Sequence, residues 1–235
     1  MNQMSFTKFP RKSSRGLFVT GSDTEIGKTF VACAIVRSLR RAVPRVGVYK
    51  PVASGVCSVE SSDAFQLLLA AGAPREQLER VCPQSFSNPL APMEAAKIQN
   101  LTVDTDQILA GFAYWTEACE FTVVEGAGGL LSPIAEQLNN AELAEKLGLP
   151  IVVVVPNRLG CVNQAMLVLE VARLRGLQVA ALVLNQTHER PNDLSTDTNY
   201  QLLRHEINRG GFSSTPTYDF KYQQIHLDLM IRFNS

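Results

Sequence analysis

The chain carries no surplus of charge. Its 235 residues hold 22 lysines and arginines against 22 aspartates and glutamates, so the net charge is zero. Nucleic acid and anionic membrane surfaces select for a basic excess, and the balance argues against both as partners. Long apolar runs are missing too. The longest apolar strand-like stretch, residues 151–155, stops at Pro156 and is far too short to span a bilayer. Residues 1–15 are polar and basic, without the apolar segment of a secretion signal, and are expected to form a disordered leader. Cysteine is sparse: Cys33, Cys57, Cys82, Cys119 and Cys161 are odd in number, widely spread and form no Cys-x-x-Cys pair. That pattern suits free thiols in a reducing cytoplasm better than disulfides or zinc. No internal repeat, low-complexity linker or domain boundary interrupts the chain.

What the chain does have is apolar strands alternating with helices. At 46% hydrophobic content it can bury one sizeable core. Strands are expected over 16–20, 45–49, 121–124, 150–155 and 178–184, and helices over 30–41, 104–119, 140–147 and 161–175. A further helix starts at Asp63, which is well placed as its N-cap. Residues 81–103, with Pro83, Pro89 and Pro92, read as irregular connection. The pattern predicts one α/β domain over 16–235, a mostly parallel sheet covered by helices on both faces.

The first turn carries the strongest motif. Gly21-Ser22-Asp23-Thr24-Glu25-Ile26-Gly27-Lys28-Thr29 lies between the first strand and the first helix. Strand, glycine-rich turn, Gly-Lys-Thr and helix form an arrangement that cradles a nucleotide phosphate. Backbone N–H groups and the helix dipole face the anion, Lys28 reaches the outer phosphates and the Thr29 hydroxyl can ligate Mg²⁺. Five residues separate Gly21 from Gly27, one more than the generic pattern. A second lysine, Lys50, ends the next strand and precedes Pro51-Val52-Ala53-Ser54-Gly55, which suggests that a second anion is handled there.

Ligands of such sheets bind beyond the carboxyl ends of the strands. Segments 21–29, 50–55, 125–129, 156–163 and 185–186 all fall at strand ends and converge on one crevice. Glu125 ends an apolar strand and can hold Mg²⁺, and Gly126-Ala127-Gly128-Gly129 after it lets a ligand approach the backbone. Asp63 serves equally as a helix N-cap or as a metal ligand on this reading. His188, His205 and His226 lie away from the motifs and read as surface or helix-face residues.

Taken in order, Gly21–Thr29, Tyr49-Lys50-Pro51-Val52-Ala53-Ser54-Gly55, Ser62-Asp63-Ala64, Val124-Glu125-Gly126-Ala127-Gly128-Gly129 and Leu159-Gly160-Cys161-Val162-Asn163-Gln164-Ala165 resemble the dethiobiotin synthetase family. The resemblance covers residues 16–186, and the longer phosphate loop is the family's own variant. It implies ATP-driven carboxylation of 7,8-diaminononanoate by CO₂ or bicarbonate, with closure of a cyclic urea through a carbamate and a carbamoyl phosphate. By resemblance, Lys50 and Lys28 are catalytic, and Thr29, Asp63 and Glu125 ligate Mg²⁺. Thr24, Glu25, Ile26, Gly27, Lys28, Thr29 and Phe30 hold the nucleotide phosphates with Gly126, Ala127 and Gly128, and Asn185 and Gln186 lie by the adenine. Ser54 contacts the substrate. Gly160, Cys161, Val162 and Asn163 open a helix that serves the partner's active site in a homodimer. From the residues alone, that helix start reads equally as an ordinary capped helix with a small buried cysteine.

The last fifth departs from the family pattern. An apolar strand and an Ile-Pro or Val-Pro turn usually wall the adenine, whereas residues 210–216 are polar and irregular and offer only Pro216 for that role. Asn185-Gln186 also replaces the more usual Asn-Asp. A partitioning-type ATPase is one rival reading, but its early loop lysine is missing from Gly21-Ser22-Asp23-Thr24-Glu25; an ATP-dependent amidotransferase synthetase acting on a corrin carboxylate is a second, for whose added glutaminase domain 235 residues are too few.

Overall fold

Valine and isoleucine build the middle of the sheet. A strand covered on both faces must be apolar at every position, and β-branched side chains favour extended backbone. Ile151–Pro156 meets both conditions and is buried along its whole length. The computed structural model describes residues 16–188, 193–227 and 229. The expected leader at 1–15 lies outside the described residues.

In chain order the strands are β1 (Gly16–Gly21), β2 (Val46–Tyr49), β3 (Val52–Ala53), β4 (Gln84–Ser85), β5 (Phe121–Gly129), β6 (Pro133–Ala135), β7 (Leu138–Asn139), β8 (Ile151–Pro156), β9 (Val179–Asn185) and β10 (Thr217–Phe220). The helices are α1 (Lys28–Leu39), α2 (Asp63–Ala71), α3 (Leu78–Val81), α4 (Pro92–Ile98), α5 (Thr105–Ala118), α6 (Asn140–Leu147), α7 (Cys161–Leu174) and α8 (Leu194–Arg209). Six strands form a sheet in the order β10-β9-β8-β1-β5-β2, and every neighbouring pair is parallel. Helices flank it, giving the single α/β domain read from the sequence. The chain leaves β1 past β5 to reach β2, and later passes from β5 across β1 to β8. The strand order therefore reverses around β1, which opens a crevice at the carboxyl ends. No helix among the described residues is long and apolar enough to cross a membrane.

Three expectations need correction. The 81–103 segment is not wholly irregular, because α4 starts at Pro92. Proline at the first helical position loses no bond and supplies a suitable φ, so a residue read as a breaker instead starts the helix. Ser62, not Asp63, caps α2: its hydroxyl accepts the Phe65 N–H at 3.2 Å. Strand β5 runs on to Gly129, because Gly129 pairs with Gly21 after an irregularity in the ladder.

Tyr49 locks α5 onto the sheet. Its ring is fully buried and its hydroxyl donates to the Ile108 carbonyl at 2.9 Å. Gly111 lets that ring in, since a Cβ there would lie 2.4 Å from the Tyr49 oxygen and 2.8 Å from Cζ. Alanine favours a helix over glycine by about 0.5–1 kcal/mol, whereas overpacking a core costs about 1–3 kcal/mol. Gly111→Ala is expected to lower the urea midpoint despite the better helix former. A variant more stable than the parent would show that the Tyr49 ring yields.

Candidate active site

Between β1 and α1 the chain makes a turn whose backbone is held open. Gly27 is the N-cap of α1 at φ 81°, a conformation natural to glycine, and no side chain caps the helix. A Cβ on Gly27 would lie 2.3 Å from Asn185 Nδ2. Glu25 sits in the left-handed region at φ 53°, where a side chain costs roughly 1–2 kcal/mol. The first N–H groups of α1 carry the positive end of the helix dipole. Lys28 is buried, and its ammonium donates to the Asp23 carbonyl at 2.8 Å across the turn. Burial, with repulsion from Lys50 second, pulls the Lys28 pKa down to about 8. An ammonium held without a full counter-charge beside free helical N–H groups is an anion site.

The carboxyl ends of β2 and β5 supply the rest. Tyr49 is in register with Val124, so the next residues, Lys50 and Glu125, meet across the parallel pair. The Lys50 ammonium lies 2.6 Å from Glu125 Oε1, 2.8 Å from Asp63 Oδ2 and 3.3 Å from the Gly126 carbonyl. Asp63 can reach it because Ser62 does the capping of α2. The Thr29 hydroxyl donates to the same Glu125 Oε1 at 2.8 Å. Lys50 and Glu125 are buried, while the Asp63 side chain is 42% exposed. Burial works against the Lys50 charge, but Glu125 and Asp63 outweigh it and hold its pKa above the usual lysine range. Burial pushes the Glu125 carboxyl up, with Lys50 pulling the other way. For Asp63 burial is outweighed by Lys50, and the carboxyl is held low.

A divalent ion fits these donors. Thr29, Asp63 and Glu125 offer hard oxygens, and Glu125 Oε2 is buried with no hydrogen-bond partner. Among the described residues no three His, Cys, Asp or Glu side chains gather at one point. That suits Mg²⁺, which takes one or two carboxylates and completes its shell with water and phosphate oxygens.

On the other side of the loop stands Asn185. It is buried, its Nδ2 donates to the Ile26 carbonyl at 2.8 Å, and its Oδ1 has no partner. Gln186 is tied by its N–H to the Phe220 carbonyl at 2.9 Å, and the Phe220 ring packs 5.6 Å from that of Phe30. The expected place of Pro216 is corrected here. Leu182 N–H bonds the Pro216 carbonyl, whereas Phe220 pairs with Asn185, so Pro216 stands at the opposite end of β10 from the crevice.

Lys28, Thr29, Lys50, Asp63 and Glu125 thus come together. Ile26 turns its side chain into the core and presents only main chain, while Thr24 and Glu25 are exposed. Gly126, Ala127 and Gly128 follow Glu125, with Gly128 at φ 78°. Ser54 stands apart, donating to the Leu90 carbonyl at 2.6 Å. Gly160, Cys161, Val162 and Asn163 start α7, with Gly160 as N-cap at φ 92°, no side-chain cap, and Cys161 buried as the ordinary-helix reading expects. Arg158 ties that segment to the phosphate loop through Asp23 at 3.8 Å. Sequence reasoning missed Asn140 and Asn157, buried amides that hold the strand ends, since an asparagine before or within a helix pattern carries no signal of such a role.

A glycine-rich loop between strand and helix, its lysine, and an acid at the end of a neighbouring parallel strand define a P-loop nucleotide-binding α/β domain. Similarity to known proteins makes the class specific. A family model described as an AAA domain matches residues 15–214. The chain is 45% identical over 174 residues to the ATP-dependent dethiobiotin synthetase BioD of Anaeromyxobacter dehalogenans (strain 2CP-C), covering 74% of this chain and 77% of that one. To the protein of the same name from Phenylobacterium zucineum (strain HLK1) it is 41% identical over 177 residues, covering 72% of this chain and 75% of that one. A ParA family ATPase from Chlorobium tepidum TLS superposes with a TM-score of 0.48 at 12% identity, covering 90% of this chain and 86% of that one. The chain belongs to the dethiobiotin synthetase family.

The Lys28 charge costs stability while no anion is bound. Its pKa is about 8 in the fold against an ordinary 10.5. Between those values the unfolded chain binds more protons, so this residue's contribution makes stability rise with pH above about 8. Lys28→Met should therefore stabilise the ligand-free protein at neutral pH by on the order of 1–3 kcal/mol, seen as a higher thermal midpoint, and flatten that rise. Calorimetric scans at neutral and alkaline pH test this, and a variant that melts below the parent at neutral pH would refute it.

Proposed function

We propose that the protein catalyses the ATP- and Mg²⁺-dependent carboxylation and ring closure of 7,8-diaminononanoate with CO₂ to dethiobiotin, a step of biotin biosynthesis. One observation carries the reading. Two lysines delivered by the ends of different strands enter one crevice, one opening α1 after the phosphate loop and one outside that loop on the acid pair Asp63–Glu125.

An amine of the substrate adds to CO₂ and loses a proton, giving a carbamate. The carbamate oxygen attacks the γ-phosphorus of ATP, the bond to the bridging oxygen breaks, and ADP leaves. The neighbouring amine attacks the carbamoyl phosphate carbon, phosphate departs, and the cyclic urea closes. The protein aligns these groups and offsets charge, with little covalent chemistry of its own. Two unit charges at 4 Å repel by about 4 kcal/mol at an effective dielectric of about 20, so carbamate and phosphate need a cation between them. Lys50 takes the carbamate and Lys28 the γ-phosphate. Thr24 to Phe30 and Gly126 to Gly128 surround the phosphates. Thr29, Asp63 and Glu125 would hold Mg²⁺, which supplies positive charge for the transferring phosphoryl group.

The unpartnered Asn185 Oδ1 suits the 6-amino group of adenine, with Gln186 beside it and the Phe30–Phe220 pair as an apolar wall. Ser54 and the uncapped start of α7, Gly160 to Asn163, suit the diamino acid, the helix N-terminus taking its carboxylate. In this reading the partner subunit supplies that helix, in a homodimer. Leu159, Leu167 and Leu174 leave an apolar stripe on and beside α7, at 86%, 59% and 82% exposure, for a second copy to cover. The free thiols fit a cytoplasmic location.

The reading is tested by ADP release, which should require bicarbonate and the diamino acid together and stop when chelator removes the metal. ADP formed at full rate without the diamino acid would sink it. Lys50→Gln is expected to keep ATP affinity within a few-fold and to lower kcat by roughly 10²-fold or more. Titration calorimetry beside steady-state dethiobiotin formation separates the two. A variant that binds ATP poorly yet turns over normally at saturating ATP would make Lys50 a nucleotide ligand instead.

A further inference from the structure

Asn140 is the residue whose buried chemistry the reaction leaves unused. It is wholly buried at the start of α6, the helix that follows the hairpin β6–β7. The helix does not need its side chain. Asn139 is the N-cap and forms a reciprocal capping box with Glu142, with bonds of 2.9 and 2.7 Å. The Asn140 amide turns instead onto the last turn of β5. Its Nδ2 donates to the Ala127 carbonyl at 2.6 Å and to the Gly129 carbonyl at 2.7 Å, and its Oδ1 accepts the Ala127 N–H at 3.2 Å.

These bonds use both donor hydrogens of the amide and close a ring around Ala127. The gripped segment is unusual backbone. Gly126 lies so close that a Cβ there would be 2.3 Å from Asn140 Oδ1, and Gly128 adopts φ 78°. Gly129 packs under the phosphate loop, a Cβ there lying 3.3 Å from the carbonyl oxygens of Gly21 and Ser22. Glu125 lies two residues before the first gripped residue, Ala127, and the Gly126 carbonyl between them faces the Lys50 ammonium. The Ser132 hydroxyl accepts the Gly129 N–H at 2.9 Å, while the Asn140 amide holds Ala127 at both its N–H and its carbonyl.

We propose that Asn140 is a positioning residue for the metal and phosphate subsite: by clamping Ala127 and Gly129 it fixes the Gly126–Ala127 peptide, whose carbonyl faces Lys50, and through it the direction of the Glu125 carboxylate and of the Gly126–Gly128 backbone. This rests on the functional reading above, in which Glu125 holds Mg²⁺ and Gly126 to Gly128 meet the phosphates. Asn140 touches no reacting atom in this role and acts through Glu125.

The test uses two variants, a control and a readout that does not need the diamino acid. Asn140→Ala removes the clamp. Asn140→Asp keeps the shape and the acceptor but cannot donate to two carbonyls while ionised. Ile207→Val, on the buried face of α8 beside Pro216 at the opposite end of the sheet from the crevice, is the control for loss of stability alone. Binding of Mn²⁺ in the presence of ADP is measured by calorimetry or by the Mn²⁺ electron paramagnetic resonance signal, on protein shown by circular dichroism to be folded. Both Asn140 variants are expected to bind Mn²⁺ at least 10-fold more weakly, with ADP affinity in chelator falling by a smaller factor and kcat falling more than the KM for the diamino acid rises. Ile207→Val keeps the parent's Mn²⁺ affinity. Parent-like Mn²⁺ affinity in Asn140→Ala would overturn the proposal and leave Asn140 a packing residue, and so would weakening of equal size in Ile207→Val. Should Asn140→Asp fail to fold, Asn140→Ala decides. If the parent binds Mn²⁺ with ADP but forms no dethiobiotin, the substrate reading fails while the clamp is still judged by metal affinity. If the parent binds no Mn²⁺ with ADP, both fall.

Discussion

The Lys50–Glu125 pair is the interaction around which the crevice is organised. Two opposite charges meet at 2.6 Å with almost no exposure. Removing both from water costs several kcal/mol per ion, and the attraction recovers this only if other bonds complete the pair. Here they do: Asp63 and the Gly126 carbonyl share the ammonium, and Thr29 donates to the carboxylate. The pair is therefore poor evidence of stability and good evidence of preorganisation. It commits β2, β5, α1 and α2 to one geometry at their site-facing ends. A parallel sheet makes this possible, because strands in register deliver their terminal residues side by side without any long loop having to be ordered.

Glycine and asparagine divide the rest of the work. The loops at the crevice adopt conformations that side chains resist, seen at Gly27, Gly128 and, at some cost, Glu25. Freedom of that kind is useful only if something removes it in the folded state. Two buried amides do so from opposite sides, Asn185 on Ile26 and Asn140 on Ala127 and Gly129. Asn157 extends the first brace outward. Its N–H bonds the Asn185 carbonyl, its amide donates to the Thr196 carbonyl, and Asn199 donates to it from α8. An asparagine carries donor and acceptor on one short, rigid group, so it can hold a backbone carbonyl and N–H together without bringing in a charge.

Five of the six sheet strands were readable in the sequence because they are apolar at both alternating positions, as Ile151 to Val155 are, and end in polar or glycine-rich segments; the edge strand β10, Thr217-Tyr218-Asp219-Phe220, carries no such run and was not. The cluster of Lys28, Thr29, Lys50, Asp63 and Glu125 was readable for a related reason: every member lies at a strand end or a helix start, and topology alone sends those to one edge. What stayed hidden depended on contacts distant in sequence. Whether Ser62 or Asp63 caps α2 turns on Lys50 being there to claim Asp63. The part of β10 in the crevice turns on parallel pairing with β9, which puts Phe220 rather than Pro216 beside Asn185. Asn140 gives no periodic or spacing signal, since its partners are backbone atoms more than ten residues earlier.

The two lysines of the crevice differ in how their charge is balanced, which on the proposed reading lets them treat two anions differently. Lys50 arrives already paired, so its charge is fixed and largely neutralised by Glu125 and Asp63. Lys28 has only a carbonyl oxygen, and its charge is left underpaid by its surroundings, with a pKa of about 8. An arriving polyphosphate meets an ammonium that gains more from it than from anything in the empty fold, along with N–H groups that no side chain has capped. On the proposed reading, Lys50 answers a second anion only through a change in how its two carboxylates are shared. The difference follows from the sheet: β1 hands Lys28 to a helix start, where backbone dipoles favour anions, and β2 places Lys50 beside the acid that ends β5. Binding energy at the first lysine and charge balance at the second are thus set by which strand delivers each, before any substrate is present.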